Sequence, residues 1–105
     1  MDHLIGTSEE GSVVLDIGGD FGAAIVRTPA TLAGLEIEIR REGARWDGTH
    51  VAVRARRIPG GEVYAALFPS LEQGGYEVRV RDDESGPVVP VAVAGARVSE
   101  AHLTP

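Results

Sequence analysis

The sequence predicts an all-β protein, an antiparallel two-sheet β-sandwich of about seven to eight strands. Apolar residues recur at every second position in short runs, Gly, Pro and Asp separate those runs, and no long window has helical spacing. Strict alternation buries one face of a strand and leaves the other in water, which is typical of antiparallel sheets. The chain has 105 residues, the size of one domain.

The predicted strands and the one helical turn follow in chain order. The strands span residues 12–17, 22–28, 35–40, 50–56, 63–68, 76–81, 88–94 and 97–99. Residues 29–33 have the pattern of a single helical turn, with Pro29 at the first helical position. Pro90 cannot donate to a β-ladder, so the run that contains it is expected at a sheet edge or at a bulge.

The domain organisation follows from the positions of these predicted strands. We expect residues 1–10 to form a flexible N-terminal arm, residues 11–101 the sandwich and residues 102–105 a C-terminal tail. The chain lacks both a basic, apolar leader and an apolar run of membrane-spanning length. Cysteine is absent, which removes disulfides and thiolate chemistry and fits a reducing compartment. The expected location is therefore the cytoplasm.

Side-chain parity predicts how the chain turns near residues 46–48. Ile37 and Val51 must face the same side, and a three-residue loop at 46–48 satisfies this condition, with Gly48 in the left-handed conformation. The resulting register places Glu38 opposite Arg56.

A second predicted turn, at residues 58–60, places Arg56 opposite Glu62 and Arg54 beside Tyr64. The two registers together predict one wet sheet face with a ladder of charges, which comprises Glu36, Glu38, Arg40, Arg54, Arg56 and Glu62. The last predicted turn of the chain, at residues 94–97, is expected to be a tight hairpin with Gly95 at positive φ.

The charge ladder has two interpretations. It is either a solvated face, whose cross-strand pairs contribute about 0.2–1 kcal/mol each, or a recognition surface, because Arg and aromatic residues are enriched at interfaces. Trp46, the only tryptophan, lies in the predicted turn and either packs over its own hairpin or anchors a partner. The candidate binding face consists of Trp46, Arg54, Arg56, Tyr64, Glu36 and Glu38.

An acidic glycine loop offers weaker candidates for metal chemistry. Asp16 and Asp20 flank Gly18 and Gly19, and closely spaced carboxylates suit a hard cation. His50 is the histidine nearest to the predicted Trp46 loop. A solvated turn and an exposed imidazole explain the same residues, since a metal site needs three or four convergent ligands. These three residues define the alternative of a small hydrolase or metal-dependent enzyme.

Charge and motifs limit the partners. Net charge is −6, from 16 acidic residues and 10 arginines, so the chain repels phosphate backbones and nucleic acid is not expected. The sequence contains neither a G-x-S-x-G nucleophile motif nor a phosphate-binding G-x-x-x-x-G-K-[ST] loop. We therefore expect no cofactor.

Residues 68–78, read as F-x-x-L-x-x-G-x-Y-x-V, resemble the strand-turn-strand segment of transthyretin-like and Cna B-type domains. Residues 91–99 resemble the last hairpin of those domains and residues 32–37 their first strand, so the resemblance covers residues 32–100. It implies an immunoglobulin-like or transthyretin-like sandwich in which Leu71 and Tyr76 plug the core. The chain has neither Lys nor Asn, so isopeptide chemistry does not carry over, and the motifs of hydroxyisourate hydrolases are absent too. Residues 14–22 are similar to small proteins of GC-rich bacteria.

Together these observations favour a non-catalytic module that binds a protein or assembles with itself through a sheet edge or face, without nucleic acid or membrane. The metal-dependent or hydrolytic alternative rests on Asp16, Asp20 and His50. A third interpretation is a structural subunit that is stable only beside a larger enzyme.

Overall fold

A computed structural model describes residues 15–105, and the expectations for residues 1–14 lie outside that range. Its secondary structure is eight strands and one 3₁₀ turn, arranged as two four-stranded sheets. The predicted all-β, two-sheet sandwich is therefore confirmed.

The eight strands form two sheets whose neighbours are antiparallel, except for one parallel pair. The strands are β1 (Phe21–Thr28), β2 (Glu36–Arg41), β3 (His50–Ala52), β4 (Arg54–Ile58), β5 (Gly61–Glu72), β6 (Gly74–Val80), β7 (Val89–Val93) and β8 (Val98–His102). The first sheet has the order β4-β5-β1-β8, and β1 and β8 are its parallel pair. The second sheet has the order β3-β2-β6-β7. The turn predicted at residues 29–33 is the 3₁₀ helix Ala30–Leu32.

The core lies between the two sheets and consists of the alternate residues that the sequence pattern selects. Buried members come from both sheets: Ala24, Val26, Leu32, Ile37, Ile39, Val53, Ala66, Phe68, Tyr76, Val78, Val91, Val93, Ala101 and Leu103. Val51 and Leu71 pack against them. Ile37 and Val51 are directly paired and face inward together, as parity requires.

Tyr76 connects the core to the end of β5, where the chain passes from the first sheet to the second. Its ring is buried, and its hydroxyl donates to the carbonyl oxygen of Glu72, at 2.5 Å, four residues earlier. The Arg41 guanidinium lies over the Tyr76 ring, with its Cζ atom 4.8 Å from the ring centroid. Burial raises the pKa of the Tyr76 phenol. Phe68 on β5 and Tyr76 on β6 thus join one core from different sheets.

The predicted strand at residues 50–56 is two strands. It breaks at Val53, a buried residue whose N–H donates to Leu35 and whose carbonyl accepts from Gly34. β3 therefore pairs with β2 in the second sheet, whereas β4 pairs with β5 in the first. This change of sheet buries Val53 in the core, and it places Arg54 and Arg56 on a different sheet from Glu36 and Glu38.

Both predicted hairpin registers are wrong. Glu38 lies opposite His50, not Arg56, because the connection between β2 and β3 spans residues 42–49 instead of three residues. In the next hairpin Arg56 lies opposite Val63, because Pro59 and Gly60 alone form the turn. Gly60 has φ 90°, which suits the third position of a type II turn after proline.

The end of the chain also differs from the prediction. β7 and β8 belong to different sheets, so residues 94–97 form a crossing instead of a hairpin, and Ala96, not Gly95, has positive φ (60°). Gly95 instead allows a close approach, since a Cβ there would collide with the carbonyl oxygen of Gly19. Leu103 is fully buried, so the sandwich extends into residues 102–105, for which the sequence predicts a tail.

Candidate functional site: the outer face of the second sheet

The outer side of the second sheet carries alternating charges that we call the charged face. Its residues are Glu36, Glu38 and Arg40 on β2, Glu77 and Arg79 on β6, Arg81 just after β6, and His50 on β3. They alternate with the core residues Ile37, Ile39 and Val78. Three carboxylates and three guanidiniums balance here, whereas the whole chain has a net charge of −6.

Glu38 is buried at the centre of this face, with 5% of its surface exposed, and is the only buried charged residue in residues 15–105. Its Oε1 accepts a hydrogen bond from Arg79 Nε at 3.1 Å, and Arg79 Nη2 lies 3.1 Å from the same oxygen as an ion-pair contact. Its Oε2 accepts from the backbone N–H of Gly48 at 3.1 Å. A buried carboxylate needs such partners, since an isolated one is strongly unfavourable. The pair therefore joins β2, β6 and the loop 42–49.

Trp46 is held over the charged face by two arginines. The Cζ atoms of Arg40 and Arg79 lie 4.3 and 4.2 Å from the centroid of its ring. Arg40 is itself fixed, because its Nε and Nη2 contact Glu77 Oε1 at 2.9 and 2.8 Å and its Nη1 donates to the Ala44 carbonyl at 3.1 Å. Cation–π contacts of this kind contribute about 0.5–2 kcal/mol each. The half-buried indole thus has a defined position.

The third ion pair lies at the other end of the face. Arg81 Nη1 donates to Glu36 Oε1 at 2.9 Å, and this hydrogen bond raises the pKa of Arg81. His50 Nδ1 lies 2.7 Å from the carbonyl oxygen of Gly48. The same ring nitrogen lies 3.1 Å from Arg81 Nη1, so His50 connects the end of the loop 42–49 with β3 and with the Arg81–Glu36 pair.

Apolar residues border the face along β7. Pro90 lies opposite Glu77, Ala92 lies opposite Gly75, and both are exposed. Val88, just before β7, is 45% exposed. An ordered aromatic residue between paired charges and an apolar border has the composition of a protein interface, in which Trp and Arg are enriched. The arrangement can bind a complementary surface.

The structure brings together only part of the predicted binding face. Trp46, Glu36 and Glu38 lie on the charged face. Arg54 and Arg56 lie on the outer side of the first sheet, because the chain changes sheets at Val53.

Tyr64 lies away from the charged face as well. Its ring packs against the core, and its hydroxyl donates to Glu62 Oε1 at 3.4 Å. It lines a surface cavity of about 370 Å³ together with Arg27, Thr28, Pro29, Glu62, Val63, His102 and Thr104.

Sequence reasoning missed Glu77, Arg79 and Arg81. Their alternation with Tyr76 and Val78 indicated an outward position, but nothing local indicated that β6 lies beside β2. Arg79 reaches Glu38 across 41 positions of the chain. The missing information was therefore strand order, which long-range packing determines.

The outer side of the first sheet is less accessible. Ala23, Ala65 and Leu67 belong to it by alternation with Ala24, Ala66 and Phe68, yet all three are buried. Arg56 on the same side is partly buried, and desolvation lowers its pKa. Side chains that are already buried offer no contact area to a partner, so this side is the poorer candidate for a binding surface.

The acidic residues and His50 proposed for metal chemistry lie apart. Asp16 and Asp20 are beside the end of β5, where Asp16 N donates to Pro69 O at 3.1 Å and Asp20 O accepts from Gln73 N at 2.7 Å. His50 lies on the second sheet. Within residues 15–105, no three His, Cys, Asp or Glu side chains are grouped so that they could hold a metal ion.

Comparison with known proteins adds no assignment. No family model, curated protein or solved structure matches the chain. Over the described residues 15–105, no helix has the length and apolarity needed to cross a membrane. A functional assignment therefore depends on the chemistry of the charged face.

Proposed function

We propose that the chain is a non-catalytic protein-binding module and that the charged face, with Trp46 and the apolar border of β7, is its recognition surface. One observation carries the proposal: Trp46 is held in place by Arg40 and Arg79, each of which is fixed by a carboxylate. Trp and Arg dominate the binding energy of many interfaces. A side chain that is ordered before binding loses less conformational entropy when a partner docks.

The charge balance of this face supports a protein partner. In its three ion pairs, each carboxylate charge is balanced by a guanidinium charge. A partner therefore meets alternating positive and negative charges instead of the net negative charge of the chain. Alternating charges favour partners with the matching pattern and disfavour others, which confers specificity.

Trp46 also stacks on Arg79, the partner of the buried Glu38, so a test must separate binding from stability. Ala92→Glu adds a carboxylate to the exposed border and removes no contact of the folded chain. Thr31→Glu adds the same group to an exposed residue of the 3₁₀ helix, outside the charged face, and is the matched control. Trp46→Ala removes the proposed anchor.

The experiment is quantitative affinity capture from the cells that express the protein, followed by titration calorimetry with the purified captured protein. We expect Trp46→Ala to weaken binding about 30-fold or more, as for a loss of at least about 2 kcal/mol at a hot spot. Ala92→Glu should weaken binding as well, whereas Thr31→Glu should bind like the wild type. The proposal fails if no protein is captured specifically, or if all three variants bind equally well.

A further inference from the structure

The inference concerns β8, the edge strand of the first sheet, and starts from its hydrogen bonds to β1. Ala23 N donates to Arg97 O and Leu103 N donates to Arg27 O, both at 2.9 Å. In a parallel ladder, every second residue directs both of its backbone groups to the neighbouring strand. The residues that face β1 are therefore the odd-numbered ones, from Arg97 to Leu103.

The even-numbered residues Val98, Glu100 and His102 consequently direct their N–H and C=O groups away from β1. Within residues 15–105, no other strand pairs with β8 on that side. Among the residues that the structure describes, these backbone groups form an open edge of the kind that accepts another strand.

The other three edges of the sandwich carry features that oppose strand addition. β3 has only three residues. β4 carries Arg54, Arg56 and Arg57 in a strand of five residues. β7 contains Pro90, which cannot donate a backbone hydrogen bond. β8 has five residues and contains neither proline nor a basic Arg or Lys side chain. Edges that are not used are commonly protected in these ways, so β8 differs from the rest.

The charge on β8 indicates the chemistry of an incoming strand. Glu100 is the central residue of β8, and its side chain remains 45% exposed although Arg27 Nε and His102 Nε2 lie 2.7 and 3.4 Å from its Oε2. Its carboxylate can therefore still contact a cation on a neighbouring strand. Opposite charges on directly paired residues stabilise a sheet, and like charges destabilise it.

We propose that the open edge of β8 accepts an extended segment of another protein as an additional strand, with an Arg or Lys opposite Glu100. The net charge of −6 also favours a basic segment. A second copy of this chain fits less well, because the register that overlaps all of β8 places Glu100 opposite Glu100 of the second copy. The proposal concerns a different surface from the charged face and does not depend on it.

The test follows backbone amide exchange by NMR in the full chain. In the free protein, the amides of Val98, Glu100 and His102 should exchange quickly, and those of Ser99, Ala101 and Leu103 slowly. The probe is a synthetic nine-residue peptide of alternating valine and threonine with one central arginine. Two matched peptides carry either a central glutamate or N-methyl groups on all backbone nitrogens, which removes the donors of both strand edges.

Binding of the arginine peptide should protect the amides of Val98, Glu100 and His102 specifically. The glutamate peptide should bind several-fold more weakly, and the N-methylated peptide should not bind, because neither of its edges retains backbone donors. His102→Pro removes an outward N–H without breaking a bond to β1 and should weaken peptide binding at least tenfold. Glu100→Gln should reduce the preference for arginine over glutamate, leaving only the part that the net charge of the chain contributes.

Trp46→Ala separates this proposal from the proposed function, since it removes the anchor of the charged face and should leave peptide binding unchanged. The proposal is overturned if about 1 mM arginine peptide, which half-fills a site with a Kd of about 1 mM, protects none of the three amides. It is equally overturned if the N-methylated peptide binds as well as the parent. Slow exchange of the three amides in the free protein, with concentration-dependent sedimentation, would identify a second copy as the occupant and also overturn it.

Discussion

Replacing Glu38 with alanine tests the buried ion pair that organises the charged face. The change removes two hydrogen bonds, from Arg79 Nε and Gly48 N, and an ion-pair contact with Arg79 Nη2, all at 3.1 Å. Removing one partner of a buried pair costs about 3–5 kcal/mol. The Arg79 side chain keeps 16% exposure and can recover some hydration, so we expect the lower end, about 3 kcal/mol. For a domain of this size, that loss lowers Tm by about 12–20 °C.

The assay is urea unfolding at neutral pH, followed by far-UV circular dichroism and by Trp46 fluorescence. Glu36→Ala is the matched control, because it removes a carboxylate of the same strand and the same face from an exposed pair with Arg81. Its effect should be much smaller, as for other surface ion pairs. A loss below about 1 kcal/mol for Glu38→Ala, or equal losses for the two variants, would refute the reasoning.

Two further predictions concern the core and its connections. Gly22→Ala should destabilise the fold by about 1–3 kcal/mol, because the new Cβ would collide with the backbone carbonyls of Ala94 and Arg97. Gly75→Ala, whose Cβ would meet only the flexible Glu42 side chain, should cost much less, and equal costs by urea unfolding would contradict this. Burial raises the pKa of the Tyr76 phenol in the folded protein. The contribution of the neutral phenol to stability is therefore complete below its unfolded-state pKa of about 10, and it is lost as the pH rises from there through the folded-state pKa. Stability should therefore fall more steeply above about pH 10 in the wild type than in Tyr76→Phe, and parallel profiles would disprove this assignment.

The sequence pattern predicted most of the strands and their buried faces, but residues 15–17 of the predicted strand 12–17 are not in a strand, and the predicted strand 50–56 is two strands. Alternation identified Ile37, Ile39 and Val51 as inward residues, because burial of one face is a local property of a strand. Pro90 correctly indicated an edge strand, since the missing donor is also a local property.

Register and strand order could not be obtained in this way. The connection 42–49 depends on the bond between Gly48 and Glu38 and on the stacking of Trp46 with Arg79, which are contacts to residues distant in the chain or on another strand. The change of sheet at Val53 depends on its burial between the sheets and on its bonds to residues 34 and 35. The residues of the predicted charge ladder therefore lie on two different sheets, and the sequence did not predict that Glu77 and Arg79 on β6 pair with residues of β2.

The most direct test of the recognition surface is an NMR titration of isotopically labelled chain with the protein recovered by affinity capture. We expect the largest shifts at the Trp46 indole N–H and at the amides of β2, β6 and β7. Shifts confined to β4 and β5, with the Trp46 signal unchanged, would contradict the assignment of the charged face as the binding surface.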